Sequence, residues 1–522
     1  MSDSRGSHPL EGPDDVLASE TASDEDLGNE EFAGVDEGFA YGDEEFAYGE
    51  FPEDWDDPDV QDVPESEGPD LLAPVADAGD GSRLVVLSGP RVGTIVDGAS
   101  SESSAQSVTS PSARLFPRPV ATAAAALAPG EVLMVVHRPG TYAARLPHAL
   151  ARAHSDFSYT GLHLGVSANL PRRGEADTAS YLASCGAASV RIADPEGYAL
   201  PGDLVEDPPL TTPQTAKTPY AADAPAVGMP ASADWNRQVI RSQRAAGANV
   251  LLTPGRTLDH NNPTAELDEA GQSLTVLLDE VTGTEVPAWN LTLRANWLID
   301  PSLRNQLFAE LVDRDDVLVW HIRVRWPVNS KPYGQTLQTQ LLEGYQELAE
   351  TARQEDRALL LPNTGLTGWL CLAWGAAGFG TGPSQATQAW KDKQIMRSKK
   401  GSPRPPAVQR HHASPLLHTI SVASHLNLDQ TLPDTTYPSC GCTFCEQQRN
   451  APTWLSELDA SHAIYDMARL SALVAAEPRQ RRFALIRRLV AEAEALHDRL
   501  PAASLDVKET PDHLQGWAAI LA

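Results

Sequence analysis

The sequence predicts an α/β fold whose parallel sheet closes into a (β/α)8, TIM-like barrel. From Ala126 onwards, short runs of apolar and β-branched residues alternate with longer stretches of helical periodicity over about 300 residues. Strands separated by helices pair in parallel, and a long series of such units suits a barrel better than an open sheet. A doubly wound sheet is the alternative, because periodicity alone does not count eight units. Near the carboxyl end, clustered cysteines followed by helical patterns add a metal-binding helical appendage.

The individual strands and helices follow from the same periodicity. Six apolar, β-branched runs predict strands at residues 132–137, 189–193, 249–253, 288–293, 317–324 and 358–361. A helix followed by a further strand fits residues 365–382. Helices are predicted at 234–246, which Gly247 ends, and at 335–353, where leucines and Tyr345 form one apolar stripe. Beyond the cysteines, helical periodicity covers residues 454–473 and 478–500.

The amino-terminal part of the chain differs from the rest in composition. Residues 1–80 carry 27 acidic side chains against one arginine, so most of the net charge of −31 belongs to them. A segment with so few aliphatic residues cannot offset its chain entropy, and we predict that it is disordered. The segment contains Phe-Ala-Tyr-Gly repeats. They are either docking motifs for a partner or chance repeats in a low-complexity tract. The predicted domains are an acidic tail and linker (1–125), the barrel (126–436) and a zinc-binding helical region (437–522).

The composition also indicates where the protein works. The chain does not begin with a basic region followed by an apolar run, and no stretch approaches the length of a membrane span. Five cysteines in 522 residues, three of them clustered, do not make a disulfide framework. We therefore expect a cytoplasmic protein without membrane association. Cys185 and Cys371 lie in apolar patterns and are predicted to pack in the core.

Three of the five cysteines, Cys440, Cys442 and Cys445, lie within six residues, and His462 follows on a predicted helix. Thiolates bind Zn²⁺ tightly, and a fourth ligand from the helix closes a tetrahedral site with no position left for water. Such a site is structural, because its binding free energy is folding free energy. We predict one zinc ion there, with His497 as a weaker substitute for the histidine ligand.

The spacing C-x-C-x-x-C followed by histidine resembles the zinc site of the tRNA-guanine transglycosylase superfamily. The resemblance covers roughly residues 126–500 and assigns the three clustered cysteines and His462 to the family's four ligands. In the family the histidine lies farther from the last cysteine, so the insert is shortened here. The resemblance implies a barrel with a zinc-bound appendage that helps to grip nucleic acid, tRNA or DNA, for queuosine-type deazapurine exchange. It also implies a homodimer formed through the zinc regions.

Of the family's two catalytic aspartates, only one has a counterpart in this chain. Asp194 follows a predicted strand in the segment Asp-Pro-Glu-Gly-Tyr, which resembles the family's Thr-Asp-Ser-Gly-Gly-Phe, whose aspartate is the general acid/base. Asp-Pro is also common turn chemistry. The family's nucleophile attacks the ribose anomeric carbon, but Gly380 stands at its position and no carboxylate follows before Asp392. The resemblance therefore implies a divergent member whose base-exchange chemistry is lost or altered.

Other polar residues at predicted strand ends offer a different chemistry, and these are Asp259, Asn290, Arg294, His321 and Arg323. Alternation puts His321, Arg323 and Arg325 on one face of a strand, either inside the barrel or toward the helices. The glycine-rich residues 378–382 are a weak match to a phosphate-binding turn.

Two basic segments predict the nucleic-acid contacts. Residues 391–410 hold seven lysines and arginines against one aspartate, and the last long predicted helix adds five arginines. The alternative for these helix arginines is that they form a solvent-exposed face without a nucleic-acid contact. The residues expected to meet phosphates are Lys399, Lys400, Arg404, Arg481 and Arg482. The predicted function is a transglycosylase-like nucleic-acid-binding protein. The alternative is a non-enzymatic scaffold or interaction protein recruited through its acidic aromatic tail.

Overall fold

The computed structural model describes residues 118–200, 203, 215–226, 229–327, 335–391, 408–501, 504–506 and 509–522. The acidic tail with its aromatic repeats lies outside the described residues, and so do Lys399, Lys400 and Arg404. Within the described ranges, no helix combines the length and the apolar character that a membrane span requires.

Eight parallel strands close into a barrel. The strands of the chain are β1 (Val132–His137), β2 (Leu162–Asn169), β3 (Val190–Asp194), β4 (Val250–Leu252), β5 (Thr257–Leu258), β6 (Val286–Arg294), β7 (Val319–Arg325), β8 (Ala358–Leu361), β9 (Gly378–Thr381), β10 (Arg410–Ala413) and β11 (His418–Ser421). The barrel runs β1-β2-β3-β4-β6-β7-β8-β9, and β9 pairs with β1 to close it. The short β5 pairs with β6, and β10 and β11 form an antiparallel hairpin.

Helices follow the strands and continue to the carboxyl end. They are α1 (Ala123–Ala126), α2 (Leu146–Phe157), α3 (Leu170–Arg173), α4 (Glu175–Ser184), α5 (Pro219–Ala222), α6 (Ala233–Ala245), α7 (Pro263–Glu280), α8 (Asn296–Ile299), α9 (Pro301–Asp313), α10 (Thr339–Gln354), α11 (Gly365–Cys371), α12 (Gln385–Gln388), α13 (Val422–Thr431), α14 (Thr443–Asn450), α15 (Ser456–Ala475), α16 (Arg479–His497) and α17 (His513–Ile520). Local sequence sets their ends. Ser232 caps α6 by accepting the N–H of Trp235, and Gly247, at a φ of +77°, turns the chain after it.

The predicted barrel is confirmed, and all six predicted strands are present with ends that differ by at most two residues. The sequence pattern missed β2. Its inward positions are Gly165, Ser167 and Asn169, so it lacks the apolar run of the other strands. A Cβ atom on Gly165 would lie 3.1 Å from side-chain atoms of both neighbouring strands, so a larger residue would require these neighbours to shift.

Side chains inside the barrel change from apolar to polar along the strands. The lower levels are filled by aliphatic residues that include Leu133, Val190, Val250 and Ala358, and α1 packs beneath them. The inward residues nearest the carboxyl ends of the strands are polar and buried. They include His137, Asp194, Asn290, His321 and Arg323. These carboxyl ends define the barrel mouth, and its polar lining is the result of simple alternation along each strand.

The helix that carries the predicted histidine ligand lies on the barrel wall. α15 packs along α2 and β1, where Tyr465 contacts Phe157 at 5.0 Å between ring centroids and donates a hydrogen bond to Asp156 at 2.7 Å. The hairpin is fixed to the last segment of the chain by buried Glu509, which pairs with Arg410 and accepts hydrogen bonds from Ser421. The elements that precede and follow the cysteine-bearing segment in the sequence are therefore both fixed by contacts with other parts of the chain.

Candidate metal centre and barrel mouth

Four metal-binding side chains meet beside the barrel. Cys440, Cys442, Cys445 and His462 each offer one ligand atom, and these atoms all lie within 4.8 Å of one another. The Nδ1 atom of His462 lies 3.8, 3.4 and 3.2 Å from the three sulfur atoms, in that order. Ligand atoms of a tetrahedral centre with bonds of about 2.0–2.3 Å are about 3.3–3.8 Å apart. The cluster has the dimensions of a four-coordinate metal site.

Local structure holds these ligands in position. Cys442 is the N-cap of α14, and its sulfur accepts the backbone N–H of Cys445 at 3.3 Å. His462 projects from α15, and its Nε2–H donates to the carbonyl oxygen of His412 at 2.9 Å. That bond leaves Nδ1 with its lone pair facing the sulfur atoms. Hydrogen bonds from the other two thiols lower the pKa of Cys440, which favours the thiolate that binds metal.

A second layer of buried residues supports the histidine ligand. The ring of His411 stacks on that of His462, with centroids 4.4 Å apart and planes 2° apart. Its Nδ1 lies 2.7 Å from the carboxylate of Asp459, which is on the same helix as the ligand. His497, the predicted substitute, lies at the end of α16 and does not belong to the cluster. The structure therefore brings together the four predicted ligands.

At the barrel mouth, Asp194 is engaged by two donors. It ends β3 and forms an ion pair with Arg323 of β7, while its second oxygen accepts the backbone N–H of Glu196 at 3.0 Å. Burial raises the pKa of Asp194, but the Arg323 charge outweighs burial and the pKa is lowered. An ionised carboxylate with both oxygens engaged is a poor proton donor. The geometry does not favour the acid/base role that the resemblance implies for Asp194.

The position predicted for a nucleophile is closed by a histidine. A Cβ atom on Gly380 would lie 2.3 Å from Nε2 of His137, at the end of β1, and 2.8 Å from the Cα of Pro362. The same nitrogen accepts the backbone N–H of Asn363 at 3.1 Å. Burial, assisted by the Arg323 charge, lowers the pKa of His137 to about 4, so the imidazole is neutral. No side chain fits at position 380 unless the backbone moves.

His321 and Asn290 form a second fixed pair inside the mouth. The Nδ1–H of His321 donates to Oδ1 of Asn290 at 2.7 Å, and Nδ2 of Asn290 donates to the carbonyl oxygen of Thr253 at 3.0 Å. Burial and the Arg323 charge lower the pKa of His321 to about 3. Of the two faces that the sequence left open for this strand, the structure has the polar one inside the barrel.

Aromatic side chains cover the polar cluster. The guanidinium carbon of Arg323 lies 4.4 Å from the centroid of the Tyr198 ring, which contacts Trp390 at 4.8 Å between centroids. Glu196 is buried with a φ of +45°, and its carboxylate accepts hydrogen bonds from Arg172 and Tyr198, each at 3.3 Å. A non-glycine residue in this conformation is strained, and such strain concentrates at ligand sites.

Several residues predicted for chemistry have structural roles instead. Asp259 and Arg294 pair with each other at the ends of β5 and β6. The glycine-rich segment is strand β9, so its backbone groups pair with β1 and β8 and do not form a phosphate-binding turn.

The two predicted phosphate-binding arginines of α16 differ in exposure. Arg481 is exposed, whereas Arg482 is buried and donates from Nε to the carbonyl oxygen of Glu477 at 3.3 Å. Burial lowers the pKa of Arg482. α16 begins beside Gly130, immediately before β1, and therefore at the end of the barrel opposite Asp194.

Sequence reasoning missed His137 and Trp390. A polar residue after five apolar ones at the end of the first strand was the available signal for His137. Trp390 lies in a segment without periodicity, and only the fold brings it to the mouth. Neither a scan against protein-family models nor a search of curated proteins found a match to this chain.

Proposed function

We propose that this chain is a transglycosylase-like nucleic-acid-binding protein that has lost covalent base exchange. The observation that carries the proposal is the closed position at Gly380, where His137 and the backbone leave no room for a nucleophilic side chain. The family that the chain resembles uses a carboxylate there to attack the ribose anomeric carbon. A barrel without that carboxylate retains binding surfaces and loses the covalent intermediate.

The state of Asp194 supports the same proposal. Its two oxygens are engaged by Arg323 and by the N–H of Glu196, and its pKa is lowered. Proton transfer to a departing base requires a carboxyl group that is protonated or free to accept and return a proton. The ion pair removes that freedom, so the acid/base step is disfavoured together with the nucleophilic step.

Zinc is the ion that we propose for the Cys3His cluster. Three thiolates and an imidazole are donors that Zn²⁺ prefers, and they fill all four tetrahedral positions. A site without an open position for water has a structural role. The ion would hold α14 to α15 and, through the His462–His412 hydrogen bond, to the hairpin. In the family that the chain resembles, the corresponding region helps to grip nucleic acid.

Two measurements test this function. Fluorescence anisotropy with tRNA and with single-stranded DNA should detect binding that weakens with added salt and survives deletion of residues 1–80. Incubation with tRNA or DNA and a 7-deazapurine base, followed by denaturing electrophoresis, should show no covalent adduct. Asp194→Asn, once circular dichroism has verified that it is folded, should bind within a few-fold of the unmodified protein, because a mouth carboxylate does not attract phosphate. A trapped adduct would overturn the proposal.

A scaffold or interaction protein is the second candidate, and one observation favours it. Arginines at the strand ends pair with carboxylates of the same chain, so the mouth is largely neutralised internally. The pairs are Arg138–Asp177, Arg172–Glu196, Arg256–Glu269, Arg294–Asp259 and Arg323–Asp194. If no nucleic acid binds at low salt and charge reversal of Lys399 and Lys400 changes nothing, this second function replaces the first.

A further inference from the structure

The exposed face of α16 is basic. The helix holds five arginines and two glutamates, so its net charge is +3. Arg481, Arg487 and Arg488 are exposed. Among the described residues, Arg488 has a carboxylate nearby, that of Glu492 at 3.7 Å, whereas Arg481 and Arg487 have no ion-pair partner. A face with more arginines than carboxylates attracts anionic groups.

The edge of this face offers an apolar contact. Phe483 is half-buried, and the guanidinium carbon of Arg487 lies 6.0 Å from the centroid of its ring. Ala484 and Ala491 are also exposed, and their short side chains leave the helix surface between the arginines uncovered. The surface therefore fits a partner that combines negative charges with aromatic side chains.

Residues 50–70 of this chain have that composition. They hold ten acidic residues and no lysine or arginine, and Phe51 and Trp55 lie among them. The segment lies outside the described residues and is joined to them by residues 71–117. A connection of that length, at up to about 3.3–3.6 Å per residue, exceeds the length of α16 several times, because a 19-residue helix is about 28 Å long.

The described part of the chain begins close to α16. The backbone N–H of Arg118, its first residue, donates to Oγ of Ser158 at 3.0 Å, and Nε2–H of His154 donates to the carbonyl oxygen of Arg118 at 2.9 Å. A Cβ atom on Gly161, at the end of the same turn, would lie 3.8 Å from the carbonyl oxygen of Ala475. Ala475 ends α15, and three residues later α16 begins. The acidic segment is therefore tethered at the end of the barrel where α16 starts.

We propose that residues 50–70 dock on the exposed arginine face of α16 in the same chain, with their aromatic side chains beside Phe483. Single exposed ion pairs contribute little free energy, so the attachment depends on several pairs and on the local concentration of a tethered segment, on the order of millimolar. The docked segment keeps other polyanions from these arginines. The proposal does not rest on the nucleic-acid function, because α16 begins at the end of the barrel opposite the mouth.

A fluorescein-labelled peptide of residues 50–70 tests the docking site by anisotropy at low salt, with the full-length chain in every case. Replacing the ten acidic residues of the segment by Asn or Gln frees the helix face. This neutralised chain should bind the peptide at least about tenfold more tightly than the unmodified chain. In the neutralised chain, Arg481→Glu and Arg487→Glu should each weaken peptide binding about fivefold. Arg241→Glu is the matched control, because it reverses one exposed arginine on α6, and it should leave the affinity unchanged.

The proposal is overturned if the unmodified and neutralised chains bind the peptide equally well, or if Arg241→Glu weakens binding as much as Arg487→Glu. Should circular dichroism show that a charge-reversed variant is unfolded, Arg487→Gln and Arg241→Gln carry the same comparison. Two other arrangements give different results. If Lys399→Glu weakens peptide binding more than Arg487→Glu, the segment docks on the lysine-rich residues 391–410. If the unmodified chain self-associates in sedimentation at low salt and the neutralised chain does not, the segment docks on a second copy. Either result refutes docking on α16 of the same chain.

Discussion

The metal centre and the barrel mouth are both buried clusters of polar side chains, but they are assembled in different ways. Three candidate metal ligands lie within six residues of the sequence, and the fourth follows on α15. The mouth instead joins residues that are far apart, since Asp194 and its partner Arg323 are separated by 129 positions and His137 and Asn363 by 226. The metal centre needs an added ion to be satisfied, whereas the mouth is largely satisfied by its own opposite charges and hydrogen bonds.

This difference decides what each cluster contributes. Thiolates held close together repel one another until a cation binds, so the stability of the metal centre depends on the ion. The mouth carries matched charges, and its ion pair and neutral histidines keep it folded without a ligand. Removal of the ion should therefore destabilise the metal centre. Removal of one partner of the buried ion pair should destabilise the barrel mouth. We expect the largest effect on the protein from loss of the ion and a smaller one from loss of one partner of the buried ion pair. Changes of single exposed charges should have the smallest effect.

Loss of the metal ion should have the largest effect. We expect one zinc per chain by metal analysis, and Cys442→Ser should lose the ion and the folded state of the region after residue 408. The physical reason is that structural zinc contributes about 10–16 kcal/mol of binding free energy in small domains. Cys185→Ser is the control, because Cys185 is buried away from the cluster and should leave the zinc content unchanged. Full zinc content in Cys442→Ser would refute the four-ligand assignment, and His462→Ala should weaken binding more than His497→Ala.

Breaking the buried ion pair should have the next largest effect. Arg323→Met leaves the Asp194 charge buried without its partner, and we expect a loss of about 3–5 kcal/mol in the free energy of unfolding. The double variant Asp194→Asn/Arg323→Met should lose less unfolding free energy, because no buried charge is left without a partner. Arg138→Met breaks the partly exposed pair with Asp177 and should cost less than about 1 kcal/mol. Urea unfolding measures all three, and equal losses in the two single variants would show that the mouth does not depend on its pairing.

The same comparison explains how much the sequence could predict. The sequence could predict that the four candidate ligands lie together, because three of them are nearly contiguous and cysteine is rare elsewhere in the chain. The barrel followed from strand and helix periodicity, except for β2, whose inward positions are small or polar. Periodicity located the strand ends that meet at the mouth, but the pairing of Asp194 with Arg323 depends on barrel closure. The contact between His137 and position 380 depends on the separation of neighbouring strands, which no local pattern contains.

Acid should destabilise the mouth before it affects the rest of the barrel interior. An unfolded histidine titrates near pH 6.5, whereas burial lowers the pKa of His137 to about 4. Above about pH 6.5 both states are neutral and the full stability is present. As the pH falls from about 6.5 to 4, only the unfolded chain takes up the proton, so up to about 3 kcal/mol is lost across that window. His137→Gln keeps an acceptor for the N–H of Asn363 but does not titrate. Its unfolding free energy should fall less between pH 7 and 4.5, and an equal fall would contradict a neutral His137.

The smallest effect should come from the exposed arginines of α16, which the sequence predicted to contact nucleic acid. Arg481 is exposed near the amino end of β1, at the opposite end of the barrel from the mouth. A strand bound at the mouth would lie at the other end of the barrel from Arg481, and charges farther apart than a Debye length of about 8–10 Å are largely screened from each other. Arg481→Glu should therefore change nucleic-acid affinity by less than about twofold and leave the slope of log K against log salt unchanged. Charge reversal of Lys399 and Lys400 should reduce that slope by about one for each phosphate that is no longer neutralised. A large effect of Arg481→Glu in anisotropy titrations would mean that nucleic acid follows the amino end of the barrel, and the polar mouth would then have no part in holding it.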